Sequence, residues 1–506
     1  MNHGRQKVGL ILGPALFVLF WATNPPDTLS VEAWYTAGIA LWMAAWWMSE
    51  AVPIPIASLL PLVLFPIFNI ASVNDASSPY ANPLIYLFMG GFILALGMER
   101  CGLHKRIALS VLHRVGTKPS AIIGGFMFAS AALSMWVTNT ATCMMMLPIA
   151  ISVVRLAEGK LAEGNLSGGN LAVGELDQQN LSSFGPALML GIAYASTIGG
   201  YGTIIGTVPN ALFAGFMLEN YGVEIGFMDW MAVGLPIVLV GMPITFWILT
   251  RVVFKLGTQR IEGMKELIDH GLASLGRPSR DERAVSLIFG LVVLLWITRP
   301  LFASAIPGLS DTGIAIMGAV LLFVTPSEKR DGHWDYRFLM DWNMAKTIPW
   351  GILVLFGGGL SLASAIDKTG LAVWIGGIIS GLSVLPVIVV ILAVVVLVVF
   401  LTELTSNTAT TAAFLPVMAS LALGIGQNPL LLAIPVTLAA SAAFMLPVAT
   451  PPNAIVFGSG YVSIPQMSKA GIWLNVAFSI LISAMAYFLV QWVFGVELGQ
   501  LPEWAL

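Results

Sequence analysis

Apolar positions in this chain come in long unbroken runs separated by short polar connections. Runs of about 20 apolar residues cross a bilayer as helices. Eleven such spans are read near 8–22, 32–49, 53–70, 82–98, 186–220, 228–254, 284–298, 312–325, 349–366, 430–460 and 470–494. Two further apolar segments, 119–155 and 386–422, are each split in the middle by a polar tip. Each arm is too short for an untilted crossing, which predicts two re-entrant hairpins that enter and leave on one side.

The tips are the same motif written twice. Thr138-Asn139-Thr140-Ala141-Thr142 returns as Ser406-Asn407-Thr408-Ala409-Thr410, 268 residues later. Phe88 to Leu103 aligns with Phe356 to Leu371 at the same offset, and Pro148 with Pro416. Pro209-Asn210 answers Pro452-Asn453 at an offset of 243, so the first copy carries about 25 extra residues. The Gly/Asn/Ser/Glu-rich stretch from Glu158 to Ser183 supplies them and is expected to be a mobile loop, dispensable for chemistry. With an odd number of spans the two repeats are inverted in the membrane. Inverted repeats with polar breaks mark a secondary transporter whose site lies where the repeats meet.

Composition agrees. The chain is 57% hydrophobic and 10% charged, with mean hydropathy +0.88, against roughly 25% charged residues in soluble domains. With the N-terminus inside, 21 of the 23 Lys and Arg residues fall on cytoplasmic segments, and Arg299 and Lys368 fall outside. That bias sets the N-terminus in the cytoplasm and the C-terminus outside. The basic stretch 99–118 reads as an interfacial helix on the inner leaflet, and 255–283 as a second cytoplasmic amphipathic connection. Trp42, Trp46 and Trp47 fit an aromatic belt at the inner end of the second span. Cys101 and Cys143 have no metal or disulfide spacing, the five histidines (among them His333) sit in or beside polar connections, and no cleavable signal peptide is evident.

A broken membrane helix frees carbonyls at the end of one arm and N–H groups at the start of the next. The carbonyl end suits Na⁺ and the N–H end suits a carboxylate. Asn serves both through its amide oxygen and NH₂, and hydroxyls add ligands. Each motif also has a hydroxyl further upstream, at Ser134 and at Thr402. A single copy would read as an ordinary helix cap; two at matched positions favour a site. A second pair of breaks is expected at Gly206-Thr207-Val208-Pro209-Asn210 and Ala449-Thr450-Pro451-Pro452-Asn453, with Gly199 to Gly202 allowing close backbone approach. No Lys or Arg lies within a span core, so cotransported cations would supply the positive charge that an anion needs. Glu403, the one acidic residue in a hairpin, reads either as a Na⁺ or proton partner or as a group facing water or a helix terminus near the tip. Metalloprotease, nucleophile-elbow and Walker signatures are missing, which argues against an enzyme.

These residues resemble the divalent anion/sodium symporter family, which contains dicarboxylate, citrate and sulfate carriers. The resemblance covers nearly the whole chain. It rests on both hydroxyl–Asn–Thr motifs, on Met98 to Leu109 (MERCGLHKRIAL) and on Ala440 to Val456 (ASAAFMLPVATPPNAIV). It implies an all-α polytopic homodimer of eleven transmembrane helices and two re-entrant hairpins, with a scaffold and an elevator-type transport domain. Residues 1–118 and 228–385 would be scaffold; 119–227 and 386–506 would be the two repeats of the transport domain. One Na⁺ site would use Ser134, Thr138, Asn139 and the backbone of Gly206; the other, Thr402, Ser406, Asn407 and the backbone of Ala449. Substrate carboxylates would meet Thr138-Asn139-Thr140 and Ser406-Asn407-Thr408, with Thr207, Val208, Thr450 and Pro451 lining the pocket. Thr138 stands where the family usually has Ser, and its extra methyl puts substrate size in doubt. The implied activity is Na⁺-coupled import of succinate, malate or fumarate across a bacterial inner membrane, with no cofactor and no nucleic-acid partner. Citrate or sulfate symport, and Na⁺-independent dicarboxylate exchange, are the alternatives on the same fold.

Overall fold

The computed structural model describes residues 2–166, 171–254, 256, 260–261, 263–302, 305–328, 338–379 and 385–505. The middle of the expected 158–183 loop and His333 therefore lie outside the described residues. Apart from one isolated bridge between Pro326 and Phe338, the described residues are helices and their connections.

The amino-terminal part, to His113, comprises α1 (Asn2–Ala22), α2 (Val31–Ser49), two short helices α3 (Ile54–Ala57) and α4 (Leu60–Ile67), α5 (Val73–Ser77), α6 (Pro83–Cys101) and α7 (Leu103–His113). The expected crossing at 53–70 is thus a pair of short pieces. Pro53, Pro55, Pro61 and Pro66 explain the fragmentation, since each removes a backbone donor. Helix α6 starts at Pro83 under an Asn82 cap and stops at Gly102, whose φ of 79° suits glycine. Helix α7 buries Leu103, Leu109 and Leu112 against α8 (Pro119–Ser134) and α13 (Met264–Ser274). The apolar side of the expected interfacial helix therefore covers protein at these leucines. Trp47, expected in an aromatic belt, is fully buried and donates to Ser58 Oγ at 3.0 Å.

The first repeat continues with α9 (Asn139–Leu166), α10 (Leu171–Gly199) and α11 (Val208–Tyr221). Helices α9 and α10 run through most of the stretch expected to be a loop, so the insertion lengthens two helices. Twenty residues of α9, to Glu158, are apolar and long enough to cross a membrane, so arm length does not decide its depth. After α12 (Phe227–Trp247) and its π-helical extension Ile248–Val253 come α13, α14 (Arg280–Phe302), α15 (Asp311–Val324), the short α16 (Trp342–Ala345), α17 (Trp350–Lys368) and α18 (Leu371–Ile379). The second repeat ends in α19 (Val387–Thr402), α20 (Asn407–Gly424), α21 (Leu430–Ala440), α22 (Pro451–Gly458) and α23 (Ile464–Phe494). Among the described residues seven helices are long and apolar enough to span a membrane, and five shorter apolar helices accompany them.

Three features position the site. The hairpins break at 135–138, between α8 and α9, and at 403–406, between α19 and α20. The second breaks lie at 200–207 and 441–450, just before the prolines expected to cause them. Pro209 and Pro452 instead sit in the first turns of α11 and α22, where the missing N–H costs nothing. Finally, α9 packs on α22 while α20 packs on α11. Each hairpin's second arm thus leans on the other repeat, which brings all four breaks together.

Candidate functional site

Local geometry repeats as the sequence does. Ser134 Oγ lies 2.7 Å from the Asn139 amide, and Thr402 Oγ1 donates to Asn407 Oδ1 at 2.9 Å. Asn210 Nδ2 donates to Gly200 O at 2.9 Å and Thr203 O at 2.8 Å. At the 243 offset, Asn453 Nδ2 donates to Ala443 O at 3.3 Å and Leu446 O at 3.0 Å. In each repeat an upstream hydroxyl holds the tip asparagine, and a downstream asparagine ties two carbonyls of the unwound stretch. Aromatic donors complete the parallel, with Trp230 Nε1 on Tyr201 O at 2.9 Å and Tyr194 Oη on Phe444 O at 2.8 Å.

The four breaks enclose a cavity of about 670 Å³. All ten residues expected to touch substrate line it: Thr138, Asn139 and Thr140; Ser406, Asn407 and Thr408; Thr207 and Val208; Thr450 and Pro451. Gly206 and Ala449 line it as well, whereas Ser134 and Thr402 stand behind their asparagines, fully buried. The first turns of α9, α11, α20 and α22 all open onto this space. Four helix N-termini, each carrying roughly half a positive charge, therefore converge where no lysine or arginine is among the lining residues. Thr138 Oγ1 caps Ala141 N at 3.3 Å and Thr450 Oγ1 caps Asn453 N at 3.2 Å, while Ser406 and Thr207 make no side-chain cap.

Behind the first tip lies a nest of oxygens. The end of the Asn139 amide that Ser134 touches is also 3.1 Å from Ser196 O and 3.2 Å from Gly206 O. Turned so that NH₂ points there, the amide donates to both carbonyls; turned the other way, its oxygen joins two carbonyls and a hydroxyl. An all-oxygen set of amide, carbonyl and hydroxyl is what a hard cation takes. Gly206 is indispensable to this nest, because a Cβ there would collide with the carbonyl oxygen of Gly200. At the second tip Thr402 Oγ1 lies 2.7 Å from Ala440 O as well as against Asn407. Among the described residues no group of three or more His, Cys, Asp or Glu side chains forms a transition-metal site.

The motifs did not reveal several groups. The Ser196 carbonyl is invisible as a residue type, and Phe88, Phe92, Glu50 and Glu99 line the cavity from outside both motifs. Glu403 is buried, and it neither lines the cavity nor faces water.

Residues 5–496 match the family model for the sodium:sulfate symporter transmembrane region. This chain belongs to the divalent anion/sodium symporter family. It is a transporter and an integral membrane protein, and its relatives are symporters rather than enzymes. A protein named sodium-dependent dicarboxylate transporter SdcS, from Staphylococcus aureus strain bovine RF122 / ET3-1, is 43% identical over 498 residues, 98% of this chain and 93% of that one. Its counterpart in strain USA300 is 42% identical over the same length. Two solved transporters share the fold at low identity. The YdaH transporter of Alcanivorax borkumensis is 13% identical with a TM-score of 0.54, over 97% of this chain and 98% of that one. MtrF of Neisseria gonorrhoeae is 11% identical with a TM-score of 0.56, over 97% and 96%. For this symporter the likeness to those two concerns fold alone.

Proposed function

We propose that this protein imports C4-dicarboxylates such as succinate, malate or fumarate, each dianion accompanied by Na⁺. The observation that carries this reading is the convergence of four helix N-termini on one cavity without a lysine or arginine, beside repeat-related clusters of amide, hydroxyl and carbonyl oxygens. The N–H ends accept the carboxylates of a substrate with charge at both ends, one from each hairpin tip. Ser134, Thr138, Asn139 and the Gly206 carbonyl would hold one Na⁺; Thr402, Ser406, Asn407 and the Ala449 carbonyl would hold the other. The cation lends the positive charge that dipoles alone do not supply. The Asn139 amide then reports occupancy, with its oxygen toward Na⁺ when bound and its NH₂ toward Gly206 and Ser196 when not. The names of the relatives, which specify sodium and dicarboxylate, support the same substrate class.

Access follows from the lining. Glu50, Glu99 and Thr347 line the cavity and are exposed, and they belong to segments that the charge bias assigns to the cytoplasm, so on this reading the arrangement is inward-open. Exchange with an outward-open form would occur by elevator movement of 119–227 and 386–506 against the scaffold 1–118 and 228–385 of a homodimer in the inner membrane. The test is uptake of labelled succinate, citrate and sulfate into proteoliposomes, with and without an inward Na⁺ gradient. Succinate uptake should collapse when K⁺ or choline replaces Na⁺. Full uptake driven by internal dicarboxylate in Na⁺-free buffer would make the protein an exchanger and end this reading.

A further inference from the structure

Glu403 is the sole acidic residue in either hairpin, directly follows Thr402, and is 4% exposed. Among the described residues no cation forms an ion pair with it. Its partners are donors of another kind. Oε1 accepts from Phe444 N at 2.7 Å, Met445 N at 2.9 Å and Asn475 Nδ2 at 2.8 Å, and Oε2 accepts from Leu446 N at 3.1 Å. Three successive backbone amides of the unwound stretch 441–450 are thereby fixed to the hairpin tip. Charge-assisted bonds of this kind are about twice as strong as neutral ones.

The consequence runs down the chain. Leu446, held through its N–H, offers its carbonyl to Ala449 N at 3.2 Å and to Asn453 Nδ2 at 3.0 Å. The Ala449 carbonyl and the start of α22 are therefore placed relative to the carboxylate. Helix α23 closes the assembly: Ser468 Oγ donates to Met445 O at 3.2 Å, and Gly471 lies so close to Phe444 and Met445 that any Cβ would collide. Among the described residues the first repeat shows no such device. At the position matching Glu403 stands Met135, whose backbone carbonyl takes a single hydroxyl bond from Thr203. The two repeats share their tips and downstream asparagines but differ in what anchors the unwound stretch.

We infer that Glu403 is a positioning residue for the second Na⁺ site: its acceptor-only head clamps residues 444–446 and so sets the Ala449 carbonyl against Thr402, Ser406 and Asn407. This rests on the reading above that those four residues ligate Na⁺. The carboxylate thus governs how much Na⁺ that site needs, without touching the ion's partner anion.

The experiment measures succinate uptake by proteoliposomes against Na⁺ concentration for wild type, Glu403→Gln, Glu403→Asp and Asn475→Ala. Glutamine replaces one acceptor oxygen by an NH₂ facing backbone donors. It should raise the Na⁺ concentration for half-maximal uptake by about tenfold, the scale of a lost charge-assisted bond. The succinate KM at saturating Na⁺ should stay within about twofold, a shift of under half that free energy. Aspartate keeps the acceptor-only head on a shorter stem and should fall between wild type and Gln. Asn475→Ala removes one donor of four and should shift the Na⁺ requirement in the same direction by about threefold. A wild-type Na⁺ requirement in Glu403→Gln, or a lower maximal rate at an unchanged requirement, would overturn the inference. If the Gln variant does not fold, Asn475→Ala decides by the same criterion. Wild-type uptake that ignores Na⁺ would instead sink the symport reading, so the two failures are distinguishable.

Discussion

Asn210 is where the repeat geometry can be tested without touching any residue assigned to substrate or ion. It is fully buried, and its NH₂ is bonded to two carbonyls of the unwound stretch 200–207, at 2.9 and 2.8 Å. Asn210→Ala strips both donors and leaves Gly200 O and Thr203 O to find others in a dry interior. A buried polar group left without its partner costs ~1–3 kcal/mol. Gly206 N also donates to Thr203 O, at 3.3 Å, so that carbonyl keeps one weak bond. The lower half of the range applies, and the total is about 2–4 kcal/mol. Asn453→Ala should cost less, about 1–3 kcal/mol, because one of its two bonds is 3.3 Å long. The assay is thermal unfolding of purified protein in detergent, run with and without Na⁺ plus succinate. Both variants should melt earlier than wild type, Asn210→Ala by more. Both should also lose part of the ligand-induced rise in Tm, since a loosened break presents a poorer site and stabilisation follows RT ln(1 + [L]/Kd). A variant that melts with wild type and keeps the full ligand-induced rise would show that these asparagines do not set the breaks.

Asn139→Ala and Asn407→Ala should each abolish Na⁺-driven succinate uptake while leaving expression intact, because on the proposed reading each removes a cation ligand and an anion donor together; binding should weaken by about tenfold or more. Wild-type rates in either would reduce that motif to a helix cap. Arg106 makes a two-point bond to Glu282 (2.9 and 3.1 Å) and reaches the Gly276 and Leu275 carbonyls at 3.0 and 3.1 Å, tying α7 to the start of α14. Arg106→Ala should lower stability by about 3 kcal/mol, read as an earlier thermal midpoint, since it leaves Glu282 buried without its partner. The Asp341 carboxyl is held below the usual carboxylate range, first by the backbone N–H of Met344 and then by Arg100 at 2.8 Å. A lowered value means its contribution is present above the ordinary 3.8 and lost as pH falls through the lowered one. The Tm difference between wild type and Asp341→Asn should therefore stay constant from neutral pH down to about 5 and shrink as pH falls below the ordinary 3.8 toward the lowered value. A difference that disappears near neutrality would refute that assignment.

The repeat and the hairpin tips were legible because small polar residues stand out in apolar runs and are written twice, at offsets of 268 and 243; the full set of ten cavity residues needed the family resemblance as well. What escaped had less contrast. Between Pro53 and Pro66 apolar content alone suggested one crossing, whereas four prolines cut it into two short helices. From Glu158 to Ser183 the weak helix formers hid the fact that α9 and α10 continue into the stretch, because propensity is overridden when a long helix already supplies the nucleus. Proline was read as the break when it marks the restart. Glu403 stands out in the sequence as the one acidic residue in a hairpin, but its partners are backbone amides 41 to 43 residues away, and backbone has no residue type to read.

The absence of a lysine or arginine from the cavity bears on coupling. A fixed cationic side chain would hold a dicarboxylate with or without Na⁺, and a carrier loaded with anion alone could cross and dissipate the gradient. Helix N-termini are weaker hosts. Each contributes ~0.3–1 kcal/mol, or about 2 in a buried setting, so four together fall far short of the cost of taking a dianion out of water. On the proposed reading Na⁺ makes good the deficit. On that reading the nests assigned to the cation are built from the asparagines that begin the helices, so an empty cation site would also present a poorer anion site. Tight coupling then needs no separate gate that senses Na⁺; it follows from a cavity whose own field is too weak to bind substrate unaided. Glu50 and Glu99 at the rim push in the same direction, since their charge favours arriving cations and hastens the departing dianion.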